Sequence, residues 1–150
     1  MSKKYLLFAN KKSLYSILIG FITRNGNKSA AIKIFNSAFL KVSKNTGLST
    51  QQILLKLFLK LNSFVEVRKI KVRKRIFFVP FPISLKRRLY LTMKWLIQAA
   101  KENKKKISIS EKIAIEIEQT VMTKTSNSLK LFKSNFDLAL KNRSNLHYRW

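Results

Sequence analysis

Cysteine is absent from this 150-residue chain, glycine occurs three times, proline twice and histidine once. Without cysteine there is no disulfide and no thiolate metal site, and the lone imidazole, His147, has no partner for a zinc cluster. Three glycines are too few for phosphate-cradling loops of the GxGxxG or GxxxxGKS kind, so the usual signature of nucleotide-binding enzymes is missing. Acid is scarce as well, the full set being Glu66, Glu102, Glu111, Glu116, Glu118 and Asp137. General acid–base or metal-ion catalysis needs carboxylates or histidine converging on a cleft. These are scattered, and Glu111, Glu116 and Glu118 are expected on a solvated helix face. No apolar run reaches the roughly 18 to 20 residues that span a bilayer. The expectation is no enzyme, no cofactor, no metal and no membrane partner.

Positive charge is abundant: 32 Lys and Arg stand against 6 Asp and Glu, a net charge of +26. Such self-repulsion opposes compaction unless an anionic partner offsets it. A hydrophobic content of 46% with 11% aromatic residues is nevertheless enough for one real core at this length, which excludes a disordered basic tail. The start, MSKKYLLFANKKSLYSILIGFITR, is basic, acid-free and amphipathic. It reads as a basic arm over residues 1–13 ahead of a helical domain over 14–150, with an organellar transit peptide as the alternative. A secretory signal is disfavoured, because no small-residue cleavage site follows the apolar stretch Leu14 to Ile22.

Leu14, Ile17, Leu18, Phe21 and Ile22 repeat at the spacing of one helix face, and Asn25-Gly26 supplies the left-handed stop. Ala30 to Asn45 puts Ile32, Phe35, Phe39 and Val42 on one stripe and ends at Gly47. Ser49 opens a third helix with capping-box spacing to Gln52, and Ile53, Leu54, Leu57, Phe58 and Leu61 form its apolar face.

After Ser63 the period changes from helical to alternating. Val65 to Pro82 reads as a two-stranded ribbon turning near Arg73 and Lys74, neither of which favours positive φ, so a wide tip is expected in place of a tight two-residue turn. Pro80 and Pro82 bar the second strand from a central sheet position. Val65 and Val67 share a face with Lys69, Lys71 and Arg73, while Arg68 and Lys74 share the other with Ile70 and Val72. Neither face is apolar from end to end, so the base is able to pack on the helices while the cationic outer half protrudes. A segment that threads cations through Ile70, Val72, Ile76, Phe77, Phe78 and Val79 suits neither a solvated tail nor a core strand; it suits a polyanion.

Ser84 precedes a fourth helix with Leu85, Leu89, Met93, Leu96, Ile97 and Ala100 at helical spacing and Trp95 expected in the core. Lys86, Arg87 and Arg88 sit at its start, where cations oppose the helix dipole, and a ligand explains them better than helix stability does. Lys101, Lys104, Lys105 and Lys106 close it, where cations suit the dipole. A fifth helix begins at the capping box Ser108 to Glu111 and carries Ile113, Ile117 and Val121. A sixth runs from about Ser128 with Phe132, Phe136 and Leu140 at i, i+4, i+8. The close, Leu146-His147-Tyr148-Arg149-Trp150, is dense in groups that stack and meet phosphate.

In this order, the segments resemble the small-subunit ribosomal protein seven family. The resemblance covers about Leu14 to Trp150 and rests on Phe64-Val65-Glu66-Val67-Arg68, the Val79-Pro80 pair, Arg87-Arg88-Leu89 through Trp95-Leu96-Ile97-Gln98-Ala99-Ala100, and Asn142-Arg143 with His147-Tyr148-Arg149-Trp150. It implies a mainly α, single six-helix domain with a two-stranded β-ribbon protruding between helices three and four, a shape that periodicity also reaches independently. It implies a structural constituent of the small ribosomal subunit that binds the three-prime major (head) domain of small-subunit ribosomal RNA and organises head assembly. Neighbouring head and platform proteins would be partners, exit-site tRNA and the messenger path would lie near, and no homo-oligomer is implied. Carried onto this chain, the RNA-facing candidates are Arg68, Lys69, Lys71 and Arg75 with the tip pair Arg73 and Lys74, the cluster Lys86, Arg87 and Arg88, and the terminal Arg143, His147, Tyr148, Arg149 and Trp150.

The chain departs from the family where Arg73 and Lys74 replace a Gly pair at the ribbon tip. It departs again where a basic, polar run before the last helix is partly apolar, Leu131-Phe132-Lys133, which points that helix toward a protein neighbour in place of RNA. The alternative function is a nucleoid-type DNA-binding protein with a basic ribbon arm; a membrane-surface amphipath ranks behind it. Heavy use of Lys, Asn, Ile and Phe with little Gly, Pro or Ala resembles an AT-rich organelle genome. That favours a mitochondrial ribosome and organelle encoding over a plastid or an AT-rich bacterial cytoplasm.

Overall fold

The computed structural model describes residues 11–149 except 24, 105 and 124. The expected basic arm therefore lies, up to residue 10, outside the described residues, as does Trp150. Helix α1 (Lys11–Ile22) is already under way ahead of Leu14, whose side chain is likewise outside the description. Leu18 is buried, Ile17, Phe21 and Ile22 pack beside it, and Asn25 and Gly26 both take positive φ where the chain turns back.

Helix α2 (Lys28–Thr46) starts two residues before the apolar stripe because the Asn27 side chain accepts a hydrogen bond from the Ala30 N–H at 3.1 Å. It stops at Gly47, whose φ of 67° is the left-handed cap geometry. Helix α3 (Thr50–Leu61) opens on the full capping box: the Gln52 N–H donates to Ser49 Oγ while the Ser49 N–H donates to Gln52 Oε1. Its whole expected apolar face, Ile53, Leu54, Leu57, Phe58 and Leu61, is buried.

Strands β1 (Val65–Val72) and β2 (Arg75–Pro82) pair antiparallel from Val65↔Pro82 to Val72↔Arg75. The expected wide tip is corrected by this register. Arg73 and Lys74 make a tight two-residue turn, with Arg73 at φ 54°. The right-handed twist of a paired ribbon favours a turn with positive φ, and strand pairing on both sides outweighs the local reluctance of an arginine to adopt it.

Helix α4 (Leu85–Glu102) is the hub, packed against α1, α3, α5 (Ile109–Met122) and α6 (Asn127–Lys141). It ends at Glu102, so Lys104 and Lys106 fall in the connection to α5 and do not close the helix; Lys101 alone of that group sits in its last turn. The main core joins Leu18, Phe35, Val42, Ile53, Leu57, Met93, Leu96 and Ile117 across five helices. Each fully buried apolar side chain of this size contributes roughly 1.5–3 kcal/mol. A second, smaller core of Ile83, Leu91 and Trp95 takes Leu131 and Phe132 from α6, so Trp95 is a core residue as expected. The apolar departure Leu131-Phe132 is thereby occupied within the domain, with Phe132 edge-on to Trp95 at 6.0 Å. The same rotation of α6 leaves Phe136 and Leu140 of the expected stripe exposed and buries Ser128 and Ala139 in their place.

Glu116 requires the largest correction. It is only 3% exposed, and its Oε1 accepts the Ser128 N–H at 2.8 Å, satisfying the first turn of α6 beside the buried hydroxyls of Thr120, Ser126 and Ser128. Helix α6 arrives with free N–H groups and a positive dipole end, and a carboxylate on α5 meets both. Glu111 and Glu118 are partly exposed and bind Lys41 Nζ and Asn45 Nδ2 respectively. A 3-10 helix, Arg143–Tyr148, ends the described chain. Among the described residues the architecture is six α-helices with a two-stranded ribbon between α3 and α4.

Candidate nucleic-acid interface

Register decides what each ribbon face carries, since residues opposite one another in an antiparallel pair point the same way. Arg68, Ile70, Val72, Arg75, Phe77, Val79 and Phe81 share the first face; Val67, Lys69, Lys71, Ile76, Phe78 and Pro80 share the second. On the first face Ile70, Val72, Phe77, Val79 and Phe81 are buried or half-buried. On the second, Lys69, Lys71, Ile76 and Phe78 are exposed, and the base residues Val65, Val67 and Pro80 are covered. The base is thus packed and the outer half is open, as the mixed faces of the sequence implied.

Arg68, Lys69, Lys71, Arg73, Lys74 and Arg75 are all exposed. Lys69 Nζ lies 5.6 Å from the Phe78 ring centroid, and Arg68 lies 5.2 Å from that of Phe81 and 3.8 Å from Glu66 Oε2. Among the described residues no carboxylate pairs with Lys69, Lys71, Arg73, Lys74 or Arg75. An arm that carries this much uncompensated charge is electrostatically incomplete without an anion.

The cluster at the start of α4 divides. Lys86 is exposed. Arg87 donates through Nε and Nη2 to the two oxygens of Glu66 at 3.1 and 2.6 Å and lies over the Tyr90 ring. The hydrogen bonds from Arg87 hold the Glu66 carboxyl below the usual range against the opposing effect of burial, and the same pairing raises Arg87. Arg88 donates through Nε to the Ile83 carbonyl and stacks 4.2 Å from the Phe64 ring centroid. Both arginines therefore have partners inside the domain that account for their place at a helix start, which the helix dipole alone does not.

The terminal candidates also divide. Arg143, His147 and Arg149 are exposed and Tyr148 is half-buried, the His147 ring lying against the Ser144 carbonyl at 2.9 Å. Tyr148 stacks on Phe77 at 4.6 Å, Arg149 Nε donates to the Pro80 carbonyl at 2.6 Å, and Asn145 Nδ2 donates to the Phe78 carbonyl at 3.1 Å. Trp150 lies outside the described residues. Three residues in this constellation escaped the sequence reading: Glu66, Asn135 and Asn145. Glu66 had a signal, being the only acid in a basic ribbon; for the two asparagines no local pattern marks them.

Among the described residues no group of carboxylates, His or Cys is placed to hold a metal, and no helix is long and apolar enough to cross a membrane. A cavity of about 260 Å³ between α1, α2, α4 and α5 is lined by apolar side chains including Ile22, Ile34, Ile97 and Ile113, and lies in the helical body away from the arm.

Residues 3–133 match the family described as ribosomal protein S7p/S5e. The chain is 33% identical to the small ribosomal subunit protein uS7 of Caldicellulosiruptor saccharolyticus, over 89% of this chain and 84% of that protein. It is 30% identical to uS7 of Thermodesulfovibrio yellowstonii, over 93% of this chain and 88% of that protein. It is also 30% identical to uS7m of Drosophila melanogaster, over 89% of this chain and 67% of that protein.

Proposed function

The chain belongs to the ribosomal protein S7p/S5e family, structural and non-enzymatic proteins of the small ribosomal subunit, and from that premise we propose that it binds the head domain of small-subunit ribosomal RNA through its ribbon arm. The observation that carries this is the arm's outer half, where Lys69, Lys71, Arg73, Lys74 and Arg75 are exposed without a paired carboxylate among the described residues. Cations neutralise phosphates there, Phe78 and Ile76 offer apolar surface beside them, Lys86, Arg68 and Arg143 extend the positive field, and the exposed His147 ring offers a face for stacking. Arg87 and Arg88 are oriented by Glu66 and the Ile83 carbonyl, so their first role is to hold the start of α4 to the ribbon base.

The helical body then holds the folded RNA head in place, and the arm lies toward exit-site tRNA and the messenger path. The exposed strip Phe136 and Leu140 on α6, flanked by Lys133 and Lys141, suits a neighbouring head or platform protein. The compositional bias and the similarity to a mitochondrial uS7m support a mitochondrial ribosome as its location. The genetic code of its nucleotide sequence tests that point.

Binding of the full chain to a transcript of the cognate head-domain RNA, measured across salt, tests the function. With about 6 to 10 phosphates neutralised, affinity falls by roughly 10³ to 10⁵ between about 50 and 200 mM salt. Affinity that stays flat, or equal retention on random duplex DNA, overturns the reading in favour of no electrostatic grip or of a DNA-binding protein.

A further inference from the structure

The parity that sorts the ribbon's faces also sorts its edges. Val65, Val67 and Lys69 stand opposite Pro82, Pro80 and Phe78, and because alternate residues of an antiparallel strand turn their carbonyls inward and outward, the carbonyls of Val65, Phe78 and Pro80 belong to one class. Side chains from outside the ribbon reach all three. Asn135 Nδ2, on α6, donates to the Val65 carbonyl at 2.9 Å and to Ser63 Oγ at 3.4 Å. From the terminal 3-10 segment, Asn145 donates to the Phe78 carbonyl and Arg149 to the Pro80 carbonyl. One open edge of β1 and one open edge of β2 are therefore held from opposite sides, β1 at its base and β2 as far out as Phe78, midway along the strand.

A two-stranded ribbon is marginal alone and swings about its attachment. Here its attachment points in the chain, Ser63 and Ile83, sit next to each other, since the Ile83 N–H donates to the Phe64 carbonyl at 3.2 Å. With such an attachment the direction of the arm depends on its packed base, on the Glu66–Arg87 pair and on whatever grips its edges. We propose that Asn135, Asn145 and Arg149 form a clasp that fixes the arm's direction, and that Arg149 serves RNA binding as a positioning residue through the Pro80 carbonyl and not as a phosphate contact. The inference rests on the RNA-binding reading for its consequence, while the clasp itself is a property of the free protein.

A positioned arm raises affinity by raising the fraction of molecules that are competent to bind. Losing one clasp bond lowers that fraction without removing a phosphate contact, so apparent affinity falls while its salt slope stays the same. Arg149→Lys is the discriminating change, since it keeps the charge and loses the guanidinium Nε donor.

The test uses the full chain in two measurements. In the free protein, hydrogen exchange of β1 and β2 amides is compared in wild type, Asn145→Ala and Arg149→Lys, with thermal unfolding as a check on the fold; both variants are expected to exchange faster in the ribbon and unchanged in the main core. Against head-domain RNA, both variants are expected to lose affinity by about threefold to tenfold with the salt slope of wild type. Unchanged ribbon exchange overturns the clasp. Full affinity in Arg149→Lys together with a slope reduced by about one unit in Arg149→Ala overturns the positioning role and makes Arg149 a phosphate contact. If wild type itself shows no salt-dependent RNA binding, the RNA reading fails, and the exchange measurement still decides the clasp.

Discussion

Arg87 grips Glu66 with two hydrogen bonds, at 3.1 and 2.6 Å, and so ties the first turn of α4 to the start of β1 across 21 residues of sequence. The ribbon's only acid is thus spent inside the protein, and among the described residues no carboxylate pairs with the cations farther along the arm.

The pair predicts an acid-labile contribution to stability. A carboxyl whose folded-state pKa is depressed contributes stability that is complete above its unfolded value and is lost as pH falls through the folded value. Glu66 is lowered from 4.5, chiefly by the Arg87 hydrogen bond, so the loss falls in acid below that value; Arg87, raised further above its already high ordinary value, stays protonated throughout and adds no pH dependence. Thermal unfolding of wild type and Glu66→Gln, followed from about pH 7 to about pH 3, should show a gap in Tm that closes toward the acid end. A gap of constant size speaks against the ion pair.

Removal of Glu116 should be costly and partly rescued by an amide. Glu116→Ala leaves the Ser128 N–H buried without its acceptor and is expected to destabilise by about 1.5–3 kcal/mol, whereas Glu116→Gln keeps an oxygen at that place and loses about half as much. Denaturant unfolding of the two variants measures this; equal losses would mean that packing volume and not the hydrogen bond is what matters there.

The tip holds strain that a single substitution relieves. Arg73 sits at φ 54°, a conformation that costs a side-chain-bearing residue about 1 kcal/mol and glycine almost nothing. Arg73→Gly should raise the denaturation midpoint modestly while lowering affinity for RNA, an opposition that a purely structural turn residue does not produce. Unchanged RNA affinity at low salt would remove Arg73 from the binding surface.

The outer cations should be dispensable for folding. Replacing Lys69, Lys71 and Arg75 together by Gln is expected to leave thermal stability unchanged or slightly raised, because like charges are removed, and to reduce the slope of log affinity against log salt by about one unit for each cation that meets a phosphate. A slope that does not move would place the phosphate contacts elsewhere on the chain.

Local pattern carried most of the fold. Helix stripes, the Asn27, Ser49 and Gly47 caps, and the change from helical to alternating period after Ser63 are short-range features, and each element formed within a few residues of its expected bounds. The arm's cations were equally legible, since alternation with apolar residues shows that they are held on a strand and not loose in a tail.

By itself, then, the sequence determined six amphipathic helices, a ribbon with a packed base and a charged outer half, and a family. Only tertiary structure decided which polar groups meet across long separations. Glu116 reads as a solvated helix residue because nothing near it in sequence reveals that the start of α6 will arrive with an unsatisfied N–H. Arg73 reads as an unlikely turn residue because its φ is imposed by strand pairing on both sides. Tyr148 and Arg149 read as free for a ligand, yet they dock on β2, about seventy residues earlier, because a ribbon with open edges offers carbonyls that any nearby donor satisfies. Periodicity recorded the buried faces of α3 and α5 but not that of α6, and it carries no record of what comes to cover a hydrogen-bonding group.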